Sequence, residues 1–432
     1  MNKYCDLHSH LYGAIDAEIL LQIGKENPTP RWDIFIELHE KLFHEKIDPN
    51  TFFLKYGDIN EFKKLSHFKS RAPFLEFQSK FNLVIALTKF QPEEIKRVCM
   101  DVMRKDMSFG ASFSEYRIMY SPLETEKGYH EKTITACEGL KEAEGVLEKI
   151  QGRLIVSLHR DGDFYTQYKW LKNCMKNSEV VRKYLVGIDF CGVEENFPPK
   201  EKKDFFQTVN SDNLIEPQYA LSILYHVGES FGDKTPISTV RWIYETSKNG
   251  AHRLGHCLAL GLDPKIFTGK NFVEKVSERI DELKFEIDNY KEIGKFGSLQ
   301  PIEKKIVELG NLQNRNLDEL VTTLFDSYSE MELKTFQEFA MKKLAENKTV
   351  IESCPTSNLR IGRMEKKENH PLKRFIEKGL RVTIGTDDSG IFDTNIQKEY
   401  ELAESIGVAF TDLEKIREDS FLYLSEKLSG KN

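Results

Sequence analysis

The sequence predicts an α/β fold, a (β/α)8 TIM barrel with a helical insertion after its sixth strand. Three observations predict it. Eight short apolar runs recur along the 432 residues, several of them near-continuous rather than alternating, as parallel strands buried on both faces require. Stretches rich in Glu, Lys, Leu and Ala with helical apolar spacing separate them. Side chains with metal-ligand or acid/base chemistry fall at the ends of the runs, where barrels of this kind gather their reacting groups.

The runs, in order, are Tyr4 to His8, Ala111 to Ile118, Leu154 to His159, Leu185 to Phe190, Ala220 to His226, His252 to Gly255, Val350 to Ser353 and Val382 to Thr386. Pro92 to Lys105, Thr133 to Ile150 and Pro371 to Lys378 are representative helical connections. Two regions exceed a minimal barrel. Ala17 to Arg71, rich in Phe and Leu, is expected to sit over the mouth as a helical lid (17–71). The connection between His256 and Glu352 is far longer than a βα unit needs, which places an insertion at 259–330. There Val273, Val276, Ile280, Leu283, Ile287 and Tyr290 step alternately by three and four on a charged background, a coiled-coil seam. After the break at Gly294 to Gly297 come Ile302, Ile306 and Leu309, and the expectation is a projecting helical hairpin. Its arms either bury each other or build a homo-oligomer interface. The whole of 1–432 reads as one domain with an excursion.

With 40% hydrophobic and 30% charged residues and a formal net charge of −7, the chain is ordinary globular material. It has no basic stripe for a nucleic-acid polymer. No apolar run reaches the length of a membrane span, and the polar start Met1-Asn2-Lys3 leads straight into strand-like residues without a secretory segment. The seven cysteines (5, 99, 137, 174, 191, 257 and 354) are odd in number and lack short paired spacing. They read as buried thiols in a reducing, cytoplasmic setting. Without a Cys-x-x-Cys pair, metal ligands have to come from His and Asp.

His8-Ser9-His10 closes the first run, and two imidazoles two residues apart on an extended strand share one face. Leu11-Tyr12-Gly13 follows, with a Gly that lets backbone come close to a ligand. His226 ends the fifth run as a third imidazole, and Glu229 lies just beyond Gly228, where a protonated carboxyl beside an activated water is a natural general acid. His256, in Arg253-Leu254-Gly255-His256, is left to orient or deprotonate that water. Asp387-Asp388 closes the eighth run. Adjacent carboxylates repel unless one is metal-bound, so Asp387 is assigned to metal and Asp388 to substrate; alone, the pair would read as an acidic turn or helix cap. Together these groups suit one hydrolytic Zn2+ per chain.

In order along the chain, Leu7-His8-Ser9-His10-Leu11-Tyr12-Gly13-Ala14-Ile15, Glu115-Tyr116-Arg117 with Tyr120-Ser121-Pro122, and Gly187-Ile188-Asp189 with Gly192 and Glu194 resemble motifs of the adenosine deaminase family of metal-dependent hydrolases. So do His226-Val227-Gly228-Glu229, Arg253-Leu254-Gly255-His256, Glu352-Ser353-Cys354-Pro355-Thr356-Ser357-Asn358 and Thr386-Asp387-Asp388. The resemblance implies one zinc held by His8, His10, His226 and Asp387, with water attacking C6 of a purine and ammonia leaving. It implies that Glu229 protonates N1, that His256 assists the water and stabilises developing charge, and that Gly192 backbone and Asp388 meet N3 and N7. His10 and Tyr12 also face the substrate.

Tyr12 stands where many nucleoside-specific members carry an Asp directed at the ribose 5′ hydroxyl, and a neutral residue there removes a repulsion against phosphate. Thr386-Asp387-Asp388-Ser389-Gly390-Ile391-Phe392, with Glu399-Tyr400 and Leu402-Ala403, is more similar to the branch acting on N6-methyl-AMP. The expected substrate is therefore an adenine nucleoside 5′-monophosphate (AMP, dAMP or N6-methyl-AMP), with adenosine or deoxyadenosine next. Lys64, Lys69, Arg71, Arg160 and Arg360 are candidate phosphate partners. Two other readings stay open here: hydrolysis of a different amide or ester in the wider superfamily, and a non-catalytic interaction module. The absence of a Lys in Asp189-Phe190-Cys191 argues against a bridged two-metal site.

Overall fold

The computed structural model describes residues 3–362, 364 and 366–431; of the polar start, Met1 and Asn2 lie outside the described residues. Eight parallel strands follow one another around the sheet: β1 (Tyr4–His10), β2 (Ala111–Met119), β3 (Gln151–Ser157), β4 (Leu185–Asp189), β5 (Ser222–Val227), β6 (Arg253–His256), β9 (Val350–Ser353) and β10 (Arg381–Ile384). β7 (Asn271–Lys275) and β8 (Leu320–Leu324) form a separate antiparallel pair. The eight-stranded sheet closes where Ser9 of β1 meets Asp387, with the Asp387 N–H donating to the His8 carbonyl at 2.7 Å and the His10 N–H to the Asp387 carbonyl at 3.0 Å. The predicted barrel and its eight strands are observed, with boundaries displaced by up to three residues.

Each strand is buried along nearly its whole length, which is why the apolar runs do not alternate. The outer helices begin where the chain offers a cap. Thr125, Asp163, Thr235 and Asn395 accept hydrogen bonds from backbone N–H groups of the first turn, and Pro92, Pro236 and Pro355 stand in first turns, where no N–H is needed.

The lid region is helical: Ala17–Glu26, Trp32–Phe43, Phe52–Lys55 and Ile59–Ser66. The wall over the mouth reaches beyond it, however, into the helix Phe74–Leu87 and the turn through Gln91. The insertion departs further from expectation. Val273 belongs to β7, and the helix begins only at Val276, running to Asp288. The three-residue step from Val273 to Val276 imitates a helical seam at a strand-to-helix junction, and the partner strand β8 lies some fifty residues onward, beyond any local pattern. A second helix, Ile302–Leu312, packs on the first through Val276, Ile280, Leu283 and Leu312. Glu278 ties the insertion to the barrel, accepting from Arg241 at 2.6 Å and from the Trp242 indole at 2.9 Å on the helix Pro236–Lys248.

Candidate active site

Period-two geometry puts Asp6, His8 and His10 on one face of β1, and the C-terminal ends of β5, β6 and β10 bring His226, His256 and Asp387 to the same end of the barrel. His256 and Asp387 adopt left-handed backbone, with φ of 67° and 59°. That conformation is costly for a side chain-bearing residue, about 1–2 kcal/mol each, and it turns the chain sharply enough to aim both side chains across the mouth.

The structure brings the predicted ligands together. His10 Nε2 lies 3.3 Å from His226 Nε2 and 3.3 Å from Asp387 Oδ1, and His8 Nε2 lies 3.7 Å from Asp387 Oδ1. Donor atoms of His8, His10 and Asp387 lie within 4.8 Å of one another, as do those of His8, His226 and His256 and those of His256, Cys354 and Asp387.

Outer groups fix the rings. Glu352 accepts a hydrogen bond from His8 Nδ1–H at 2.6 Å, and Asp189 one from His226 Nδ1–H at 3.1 Å, which leaves each Nε2 lone pair facing the cluster. His8 Nε2 is buried with no hydrogen-bond partner among the described residues. Burial, reinforced by Arg117, holds the His8 imidazole well below its ordinary range, so it is neutral. Neutral imidazoles, a carboxylate and an orphaned lone pair backed by carboxylates form a donor set that fits a divalent metal. Glu352 is itself clamped by Arg117 (2.5 Å) and Arg253 (2.6 Å), whose charges overcome its burial and hold its carboxyl below the ordinary value.

His256 is held differently. Asn358 Oδ1 accepts from the Cys354 backbone N–H at 3.1 Å, so the Asn358 amide NH2 faces His256 Nδ1 at 2.9 Å. Nδ1 is therefore an acceptor, and the proton resides on Nε2, which points toward Glu229 Oε2 at 3.7 Å. Burial pushes this imidazole down to about 3. His256 is built to donate a hydrogen bond into the site, which favours orienting water over deprotonating it.

Glu229 follows the left-handed Gly228, and Glu194 accepts both backbone N–H groups of that turn, at 3.0 and 3.3 Å. Burial, then the Asp387 and Glu194 charges, raise the Glu229 carboxyl well above its usual range. Asp388 is raised likewise by burial and by Asp387, and its Oδ1 has no hydrogen-bond partner among the described residues. Gly13, expected to admit a ligand, instead admits Asp388: a Cβ there would lie inside that carboxyl group.

A cavity of about 680 Å³ opens onto these groups, lined by His10, Tyr12, Gly192, His226, Glu229, His256, Asp387 and Asp388. Tyr12 stacks on Phe90 with centroids 4.1 Å apart and donates to Glu94 at 3.2 Å. None of the five candidate phosphate cations lines the cavity. Lys64 pairs with Glu61, Lys69 with Asp393, and Arg360 donates to the carbonyls of Phe68 and Phe392. Arg160 supports the site from below, donating to the carbonyls of Phe190, Cys191 and His226. The cations on the cavity wall are Arg31, Lys89, Arg117 and Lys132. Sequence reasoning passed over the first two because they lie in loops with no motif. Glu352, Asp189 and Asn358 stood within quoted motifs, but spacing alone assigned them no task.

The fold and site define a (β/α)8 barrel with a cluster of imidazole and carboxylate side chains, suited to a divalent metal, at its mouth. Residues 317–421 match the adenosine deaminase family model. The chain is 23% identical to an adenosine deaminase of Clostridium botulinum (strain 657 / Type Ba4) over 95% of its own length and 90% of that protein's. Its fold is similar to the apo N6-methyl-AMP deaminase of Arabidopsis thaliana (TM-score 0.58, 16% identity, covering 98% of this chain and 92% of that one). It is also similar to an amidohydrolase from Burkholderia ambifaria with bound Zn (TM-score 0.55, 15% identity, covering 98% and 85%). The resemblance drawn from the motifs therefore holds at the level of both sequence and fold.

Proposed function

We propose that this chain is a zinc-dependent hydrolytic deaminase acting on an adenine nucleoside 5′-monophosphate, AMP, dAMP or N6-methyl-AMP, and releasing the inosine form with ammonia, or with methylamine where N6 is methylated. One observation carries the reading: three imidazoles and Asp387 converge at a cavity that also presents Glu229, whose carboxyl burial raises well above its usual range, and the His256 Nε2–H. His8, His10, His226 and Asp387 would hold the metal, which when bound supplies the Lewis acidity that brings water within reach of ionisation near neutral pH. The Zn-bound relative of the same fold supports that choice of ion.

The chain's own residues do the rest. Glu229 delivers its proton to the purine N1, which makes C6 electrophilic. The His256 Nε2–H donates to the incoming oxygen, orients it and stabilises the charge that develops there. Asp388, kept neutral by burial beside Asp387, donates to N7, and the Gly192 N–H donates to N3. Gly192 has φ +78° and no neighbour within reach of a Cβ, so its backbone is open to the cavity.

Support for the phosphate lies at Tyr12. Its neutral ring occupies the wall, and the Arg31 guanidinium lies 6.0 Å over the Phe90 ring that Tyr12 stacks against, with Lys89 adjacent in sequence. Neither Arg31 nor Lys89 has a carboxylate partner among the described residues, which leaves both charges available to an anion. A spectrophotometric screen of adenine nucleosides and their mono-, di- and triphosphates for conversion to inosine forms tests the proposal. The monophosphate should show the highest kcat/KM; a higher value for the nucleoside rejects the nucleotide reading, and no conversion of any of them rejects deamination.

A further inference from the structure

The barrel strands are paired on both edges, but β8 is paired on one only. The Phe325 N–H donates to the Lys270 carbonyl at 2.9 Å and the Val276 N–H to the Glu319 carbonyl at 2.8 Å, bracketing the β7–β8 register of Asn271 with Leu324 through Lys275 with Leu320. Alternation between those bonds turns the N–H and C=O groups of Val321 and Thr323 toward β7 and those of Leu320, Thr322 and Leu324 outward. The strand is uncovered: Leu320 is 62% and Leu324 57% exposed, and no residue of β8 is buried. Val273, paired with Thr322 across β7–β8 and 43% exposed, extends the same exposed apolar face.

Open edges of this kind are normally guarded by a charge, a proline or a bulge. The outer edge of β7 carries Lys275, whereas β8, Leu-Val-Thr-Thr-Leu, has none of these devices. It is also self-complementary. A two-fold axis through Thr322 sets Leu320 of one copy opposite Leu324 of the other, and Thr322 opposite Thr322, each pair exchanging both backbone hydrogen bonds. β-Branched and aliphatic pairs of this sort stabilise antiparallel ladders. From this edge, its apolar surround and its two-fold symmetry we infer that β8 is the docking strand of a homodimer, joining two β7–β8 pairs into one four-stranded antiparallel sheet. One five-residue edge with its neighbours lies at the small end of specific interfaces, roughly 1,000–1,200 Å² in total, so the dimer dissociates on dilution.

Sedimentation velocity of the full chain across a concentration series tests this. The wild type should pass from monomer to dimer with rising concentration. The double variant Leu320→Glu/Leu324→Glu places like charges opposite each other at both ends of the strand and should remain monomeric, with melting temperature and catalytic rate unchanged because both side chains are exposed. Leu320→Glu/Leu324→Lys places each Glu opposite a Lys of the second copy and should restore the dimer, in a salt-sensitive form. A wild type that stays monomeric throughout, a dimer that survives the double-Glu change, or a Glu/Lys variant that fails to re-associate each overturns the proposal. The last of these distinguishes the two-fold register from unspecific apolar association.

Discussion

Asn358 donates its side-chain amide to Nδ1 of His256 across 2.9 Å, and the Cys354 backbone N–H fixes which way that amide faces. A residue five positions past the end of β9 thereby sets the tautomer of an imidazole at the end of β6. Asn358→Asp keeps the shape and the bond to Cys354 but offers His256 an acceptor, which draws the proton to Nδ1 and leaves a bare lone pair toward the substrate. The expected result is a fall in kcat of about 10²–10³, the scale of losing one positioned donor, with KM changed little. Unchanged kcat in steady-state kinetics would remove Asn358 as a positioning residue.

Glu229→Gln should lower kcat by about 10²–10⁴ without unfolding the protein. The pH profile carries a sign. Burial and the Asp387 charge raise the Glu229 carboxyl, so its acid form is present at neutral pH and turnover declines as pH climbs through the raised value. That alkaline limb should be absent from the residual activity of the Gln variant, and its persistence there would assign it to another group.

Glu352 is buried between Arg117 and Arg253 while backing His8. Glu352→Gln leaves two interior guanidiniums without their shared counter-ion, which costs about 3–5 kcal/mol, and should lower zinc affinity about 10–100-fold through His8. Its carboxyl is held below the ordinary value, so the stability it provides is present at neutral pH and disappears on acidification through that depressed value. Thermal melts of the wild type and variant between neutral and acid pH should converge; a constant gap would contradict this.

Chelation should abolish turnover, and elemental analysis after reconstitution should return one zinc per chain. Free zinc at about a thousand times its Kd stabilises the folded state by about 4 kcal/mol, so stripped protein should melt measurably lower. Equal melting curves would indicate that His8, His10, His226 and Asp387 hold nothing.

Arg31→Ala and Lys89→Ala should each raise KM for the monophosphate about 10-fold, the loss of one charge-assisted contact, and leave KM for the nucleoside unchanged. Parallel effects on both substrates would place these side chains in general wall packing.

The barrel was legible because parallel strands buried on both faces write themselves as uninterrupted apolar runs, and the candidate site positions were legible because several runs end in a chemically distinctive residue. His8, His10, His226, Glu229, His256, Asp387 and Asp388 all meet at one cavity for that reason. What stayed hidden depends on distance in the chain. Asp189 and Glu352 act through rings of other strands, and Arg31 and Lys89 reach the cavity only because separate lid segments fold together. The β7–β8 pair joins residues some fifty positions apart, and Val273, with its helical spacing to Val276, concealed a strand as part of a seam.

The Ser9–Asp387 bridge that seals the cylinder is flanked by His8 and His10 on one side and supplied by a ligand on the other. Seam and candidate donor set are one object, so the whole cluster is assembled only when the last strand docks against the first. A chain halted short of its eighth strand would keep the imidazoles of His8, His10, His226 and His256 but lack the carboxylate of Asp387 and the closed seam.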